Sequence, residues 1–212
     1  MGIRKREGIN TMETIQNVVV FGVGAAGSNT FLHVIYTYPG LNFTVVDDDI
    51  VEERNVSPGT QPYTKTDLRR PKVQAIQRVA MMSKNVKVNA VKKRINTQKD
   101  ITDLVPNPKQ TLLIDAFDNV PSRNLFANLV KANVLHIGFS ANLSGEAVWE
   151  NVWTPMEESV KDAEIDVCEI ALARPFIFAL SAMAAISISR FIEKGEKVNF
   201  YLDSQFRLKS WN

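Results

Sequence analysis

The sequence predicts an α/β fold: a doubly wound, mostly parallel sheet with a C-terminal antiparallel extension and a buried apolar helix. Three observations carry that expectation. Short β-branched runs alternate with stretches of helical apolar spacing from Ile15 to Gly138. A glycine-rich turn, Gly22-x-Gly24-x-x-Gly27, joins the first such pair, and after Gly145 the alternation gives way to strand-like runs around one long apolar segment.

In chain order, Ile15 to Phe21 is β-branched and stops at the glycines, and the residues up to Tyr38 place Phe31, Leu32, Val34 and Ile35 at helical spacing until Pro39-Gly40 ends them. Phe43 to Val46 is a second strand, closed by Asp47-Asp48-Asp49. Residues 51 to 71, rich in Pro, Gly, Thr and charge, read as a long irregular connection of the kind that usually carries function. Pro71 suits a first helical turn, and Val73, Ile76, Val79 and Ala80 share one face of the helix that follows. Val86 to Ile95 reads as strand, Thr111 to Ile114 as strand, Pro121 to Lys131 as helix and Val134 to Gly138 as strand, so parallel strands with right-handed crossovers are expected. Ala147 to Trp153 reads as an antiparallel addition, 157 to 169 as an acidic loop, and a final strand pair is expected about Asp203-Ser204. Phe176 to Ser189 carries no charge but is shorter than the roughly 20 residues a bilayer requires, so it is expected as a helix buried in its own core or in a dimer interface. One domain over residues 1–212 is the expectation, with residues 1–14 a flexible N-terminal arm.

Composition narrows the functional classes. With 25 Lys+Arg against 23 Asp+Glu, the net charge of +2 lacks the footprint of a nucleic-acid or membrane-surface protein, so neither partner is expected. One cysteine excludes an internal disulfide, and two histidines leave little for a histidine metal site. The basic start Met1-Gly-Ile-Arg-Lys-Arg is followed by no apolar stretch of a secretory signal, so a cytoplasmic location is expected.

The glycine turn follows a strand and opens a helix, which is the context of a Rossmann-like nucleotide turn. Gly22 and Gly24 would let the backbone turn and approach a phosphate, Gly27 would let helix and strand pack closely, and the helix N-terminus offers free N–H groups to an anion. Asp47, 20 residues beyond Gly27, sits where a carboxylate can accept from ribose hydroxyls.

The residues that follow, Asp47-Asp48-Asp49-Ile50-Val51 with Asn55, then Gln61, Pro71-Lys72 and Asp115-Ala-Phe-Asp118-Asn119, separate the nucleotide-binding candidates. Their order and spacing from Val18 to Gly138 resemble the ubiquitin-activating-enzyme-like adenylyltransferases, the ThiF/MoeB/HesA family. The resemblance implies a dimeric enzyme that binds ATP and Mg²⁺ and adenylates a C-terminal carboxylate, commonly that of a small ubiquitin-like protein or another peptide, releasing pyrophosphate. It also implies a nucleotide-binding set of Gly22, Gly24, Gly27, Asp47, Asp49, Asn55, Lys72, Asp118 and Asn119. Within that set Lys72 and Asn55 would serve the phosphates and Asp118 would hold Mg²⁺. The chemistry suits these residue types: an ionised carboxylate needs no general base, but two anions must be brought together, so positive charge and metal do the work. Plain structural alternatives stand beside each role. Lys72 could be a solvated first-turn lysine, Asn55 a turn former, and Asp118-Asn119 a cap for the helix near Pro121.

The sequence departs from the family pattern in several places. Pro58 stands where an arginine is usual, with Arg54, Arg69 or Arg70 as substitutes; Arg4 or Arg6 would have to supply an arm arginine; and the two Cys-x-x-Cys pairs are missing, so no zinc is expected. Cys168, the only candidate thiol nucleophile, lies among Glu164, Asp166 and Glu169. Nearby carboxylates raise a thiol pKa, so adenylation without thioester transfer is the expectation. Ten basic residues and one acidic residue lie between Lys65 and Arg94, read either as a solvated face or as a dock for an anionic partner. His136 reads as a hydrogen-bonded core histidine rather than a base, and His33 carries no stronger signal. Two other classes remain open: an NAD-binding oxidoreductase, and a degenerate, non-catalytic partner subunit of the same fold.

Overall fold

In a computed structural model of the chain, described for residues 14–154 and 170–212 apart from 58, 128, 130, 131 and 171, eight strands form one sheet in the order β3-β2-β1-β4-β5-β6-β7-β8. β1 (Asn17–Phe21), β2 (Asn42–Val46), β3 (Val88–Val91), β4 (Thr111–Asp115) and β5 (Asn133–Phe139) are mutually parallel; β6 (Gly145–Trp149), β7 (Asn199–Leu202) and β8 (Leu208–Trp211) continue as an antiparallel meander. The strand order reverses between β1 and β4, and in open α/β sheets the crevice beyond the carboxyl ends at such a point is where ligands bind.

The period-two alternation of the strands divides the core. Val18, Val20, Phe43, Val45, Leu112, Ile114, Leu135 and Ile137 face α1 (Ala25–Thr37), α3 (Lys72–Lys84) and α6 (Ala173–Lys194). Val19, Phe21, Val46, Leu113 and Val134 face the opposite side, where Ile95, Ile101 and Phe126 close a smaller core. Trp149 anchors the extension, its indole N–H donating to Ser187 Oγ at 3.0 Å while that hydroxyl donates to Val198 O.

Several expectations are corrected. Residues 51–71 hold a short α2 (Glu53–Val56) and a 3₁₀ turn at Lys65–Asp67. The strand expected over Val86 to Ile95 shortens to Val88–Val91. An unexpected α4 (Gln98–Thr102) starts at a Thr97/Asp100 capping box, too short to show helical periodicity. The helix expected over Pro121 to Lys131 is five residues, α5 (Val120–Asn124), after which the chain turns so that Phe126 enters the smaller core. The apolar helix extends to 22 residues and is long and apolar enough to cross a bilayer, but it packs one face against α1 and the sheet. It is not buried all round: Phe178 (38%) and Ile186 (52%) are exposed on its outer face. The N-terminal arm and the acidic loop lie outside the described residues.

Candidate functional site

The turn between β1 and α1 is shaped by its three glycines in different ways. Gly22 has φ +82°, and a Cβ there would lie 2.7 Å from the carbonyl oxygen of Ala116 at the end of β4. A Cβ on Gly27 would lie 1.9 Å from Gly22 O, so its hydrogen is what allows α1 to sit on β1. Gly24, the N-cap of α1, has nothing among the described residues within 4 Å of the Cβ position. Packing therefore explains two glycines and leaves the third facing open space, at a helix N-terminus with no side-chain cap.

The turn is held from two sides. The Val23 N–H donates to Asp47 Oδ2 at 2.8 Å, and the Tyr63 hydroxyl donates to Val23 O at 2.6 Å. Asp47 Oδ1 accepts from the Asp49 N–H at 2.9 Å. Burial pushes the Asp47 carboxyl above its ordinary range, opposed by the Lys72 charge and by those two N–H bonds. Burial, with the charges of Asp47 and Asp67 behind it, drives the Tyr63 hydroxyl far upward, so it stays a donor. Lys72, whose side chain is 9% exposed, sets its Nζ 2.8 Å from Asp49 Oδ2, while its backbone N–H donates to Asp49 O. A solvated first-turn lysine is thereby ruled out in favour of a buried cation beside the acidic run.

The connection over residues 59–71 lies against this turn because Asn29 Nδ2 donates to Thr60 O and Ala25 O. Its other end is tied by Asp67, fully buried, which accepts from the Thr64 N–H and hydroxyl and from both Nε and Nη2 of Arg78. Thr60 Oγ1 and Gln61 Oε1 are buried without a partner among the described residues. Asn55, buried at the end of α2, accepts the Glu52 N–H with its Oδ1; that leaves its NH₂ group as the donor. The turn-former reading is thus correct for one half of the amide only.

At the end of β4, Asn119 Oδ1 accepts from the Ser122 N–H and caps α5, as the capping alternative expected. Asp118 takes no part: it is exposed and makes no hydrogen bond among the described residues. The carboxylates of Asp47, Asp48 and Asp49 lie within 4.8 Å of one another, and Asp118 stands outside that group. Of the ten basic residues between Lys65 and Arg94, four are engaged internally among the described residues: Lys72 with Asp49, Arg78 with Asp67, Lys93 with Asp100, and Lys84 over the Tyr36 ring. Arg54 pairs with Glu52, while Arg69, at φ +66°, and Arg70 are exposed beside Val51. Pro58, Arg4, Arg6 and Cys168 lie outside the described residues. His136 is the hydrogen-bonded core histidine expected, its Nδ1 2.8 Å from Asp115 Oδ2.

Sequence reasoning passed over Tyr63, Thr60, Asp67 and Arg78. Tyr63 reaches a carbonyl 40 residues away, a pairing that no local pattern announces. Asp67 carried one signal, a Thr64-x-x-Asp67 capping box.

Compared with known proteins, the chain matches the ThiF family over residues 3–204. Its fold superposes on E. coli MccB with ATP (TM-score 0.69, 15% identity, 95% of this chain and 64% of that one). It also superposes on the Microcin C7 biosynthetic enzyme MccB in complex with N-formylated MccA (0.67, 17%, 93% and 64%). PaaA gives 0.69, 18%, 93% and 64%. At these identities the likeness is one of fold, and the chain spans under two thirds of each of these proteins. No curated protein sequence matches it.

Proposed function

The chain belongs to the ThiF family, and on that premise we propose that it is an ATP- and Mg²⁺-dependent adenylyltransferase acting on the C-terminal carboxylate of a peptide or small ubiquitin-like protein. The observation that carries the reading is Gly24. Its Cβ position is empty space at the N-terminus of α1, at the point where the strand order reverses, with a buried carboxylate on one side and a buried lysine beyond it. MccB, of the same fold, is a biosynthetic enzyme crystallised with ATP and with N-formylated MccA, which supports both the nucleotide and the kind of acceptor.

In this mechanism the α1 N-terminus and the open face at Gly24 receive the phosphates, and Asp47, with lone pairs to spare beyond its two N–H partners, takes the ribose hydroxyls. Lys72 and the Asn55 NH₂ serve as donors to the triphosphate. A carboxylate oxygen of the acceptor attacks the α-phosphorus, the bond to the β-phosphate oxygen breaks, and pyrophosphate leaves with that electron pair. No base is required because the nucleophile is already an anion. Asp118 is suited to Mg²⁺, which is held by one or two carboxylates plus substrate phosphates, since it is exposed and makes no hydrogen bond among the described residues. Bound there, the ion would neutralise charge on the phosphates. The exposed apolar face of α6 about Phe178 and Ile186 suits a homodimer, and a cytoplasmic location goes with the reading.

The test is a thermal-shift panel with ATP–Mg²⁺, ATP–EDTA and NAD on the wild type, Lys72→Ala and Asp118→Ala, followed by ATP–pyrophosphate exchange with candidate peptides. Stabilisation by ATP–Mg²⁺ that is reduced in both variants supports the assignment. Stabilisation by NAD alone, or exchange undiminished in both variants, overturns it.

A further inference from the structure

The Asp118 side chain is exposed and unbonded among the described residues, yet the backbone on either side of it is held at several points. The Ala116 N–H donates to Phe21 O at 2.9 Å, and the Phe117 N–H donates to Asp115 Oδ1 at 3.2 Å. Phe117 O, in the peptide that leads into Asp118, accepts from Arg123 Nη1 at 3.1 Å. Asn119 O, one residue beyond Asp118, accepts from the Arg123 N–H at 3.2 Å. Arg123, on α5, therefore grips the loop both before and after Asp118, once with its side chain and once with its backbone.

The guanidinium is buried, a place an arginine takes only when it is paired. Nη1 also donates to Ile137 O at 2.9 Å. The β4–β5 ladder ends at Asp115 and His136, so that carbonyl lies one residue past its end. Asp115, fully buried, has its Oδ2 3.8 Å from Nε and balances the charge. Gly138 makes the room: a Cβ there would lie 3.0 Å from Nη1, and its three nearest atoms would all belong to the guanidinium. A buried ion pair adds no more stability than well-packed apolar side chains of the same volume, so stability alone gives no reason for this one. What the pair adds is a fixed link from β4 and β5 to the carbonyl before Asp118.

We propose that Arg123 is a positioning residue, which sets the backbone of Asp118 so that its exposed carboxylate meets Mg²⁺–ATP from a fixed place. The inference rests on the assignment of Mg²⁺ to Asp118. Groups that orient a metal ligand are worth about 10- to 100-fold in metal affinity.

The test uses the full chain and two readings that need no turnover. Arg123→Lys keeps the charge facing Asp115 on a shorter side chain that cannot reach both carbonyls. In the ligand-free protein it should speed hydrogen exchange at the Phe117 amide by at least about tenfold, with the Ile114 amide of β4 unchanged. By calorimetry, the gain in ATP affinity on replacing EDTA with Mg²⁺ should fall by about tenfold, while affinity in EDTA stays within about twofold of wild type. Asp118→Ala should lower that gain at least as far, and the double variant should match Asp118→Ala. A gain unchanged in Arg123→Lys, an equal loss with and without Mg²⁺, or a further loss in the double variant overturns the positioning role and leaves Asp118 assigned. A gain absent from the wild type, or untouched by Asp118→Ala, overturns the metal assignment and this inference with it. If Arg123→Lys does not fold, Gly138→Ala, which presses on the guanidinium, takes its place and should move both readings in the same direction; readings equal to wild type overturn the role.

Discussion

Gly24→Ala and Gly27→Ala make the same chemical change three residues apart, and the structure assigns them opposite consequences. At Gly27 the new methyl would lie 1.9 Å from Gly22 O and 3.0 Å from Ala116 Cβ. Both neighbours belong to packed backbone or to a side chain with no freedom, so α1 must retreat from β1 by at least about 1 Å across a core that includes Phe31 and Ile35, an overpacking cost of about 2–3 kcal/mol. For a chain of this size that is a fall in Tm of roughly 5–10 °C. At Gly24 nothing lies within 4 Å and φ is −69°, so alanine fits. The loss of a good N-cap residue and the lowered entropy of the unfolded chain, each about 0.5–1 kcal/mol, oppose one another, leaving Tm within roughly 2 °C of wild type. Yet the Gly24 methyl would stand where the phosphates are proposed to lie, and ATP affinity measured by calorimetry should drop at least about tenfold. A Gly24→Ala protein that binds ATP as tightly as wild type would refute the reasoning, since the open space would then serve nothing.

Tyr63→Phe removes the 2.6 Å bond to Val23 O and leaves that carbonyl buried and unmet; a stability loss of about 1–2 kcal/mol in urea titration should come with weaker ATP binding, and unchanged binding would show that the clamp does not shape the turn. At Asp67, burial pushes the carboxyl up, but the Arg78 guanidinium and the Thr64 N–H and hydroxyl outweigh it and hold the group below its ordinary 3.8. A depressed folded value means stability present above 3.8 and lost as pH falls below it, so Asp67→Asn should flatten the acid limb of a Tm-against-pH curve. An acid limb as steep as in the wild type would contradict that assignment. Ile186→Glu, at a position 52% exposed on α6, should convert the proposed homodimer to a monomer in light scattering and lower Tm by what the interface contributes; identical masses for the two proteins would remove the outer face of α6 from the interface.

What the sequence made legible was set by period and by punctuation. β1, α1 and β2 are bounded by Gly22, Pro39-Gly40 and the acidic run, and each was read to within about three residues. α4 and α5 were missed or overextended because five residues complete barely more than one turn, and periodicity needs several. The site divided the same way. Asp47, Asp49 and Lys72 converge because each sits at the carboxyl end of β2 or the start of α3, positions the alternation of elements predicts. Tyr63 enters through long-range pairing of the connection over residues 51–71, which has no periodicity to read, and Arg78 through its bonds to Asp67 in that connection. For α6 the apolar composition indicated burial in the core or in a dimer interface; among the described residues one face meets α1 and the sheet, while Phe178 and Ile186 stay exposed.

Asp47 and Asp67 show how the same connection separates architecture from binding. Asp67 accepts from four donors, three on Oδ2 and one on Oδ1, and its ionised form is favoured in the folded state. Asp47 accepts from two, and burial outweighs them together with Lys72. Its folded value lies above 3.8, so ionising it works against the fold, and this deficit grows as pH rises from 3.8 through the raised value and then persists. The two backbone N–H groups account for one lone pair on each carboxylate oxygen, a pairing an asparagine could meet only by half, and leave the remaining lone pairs unassigned. What distinguishes Asp47 is its unmet acceptor capacity beside a helix N-terminus and a buried lysine. A pair of ribose hydroxyls would supply the two missing donors, so the part of the site that destabilises the empty protein is the part that a bound nucleotide would complete.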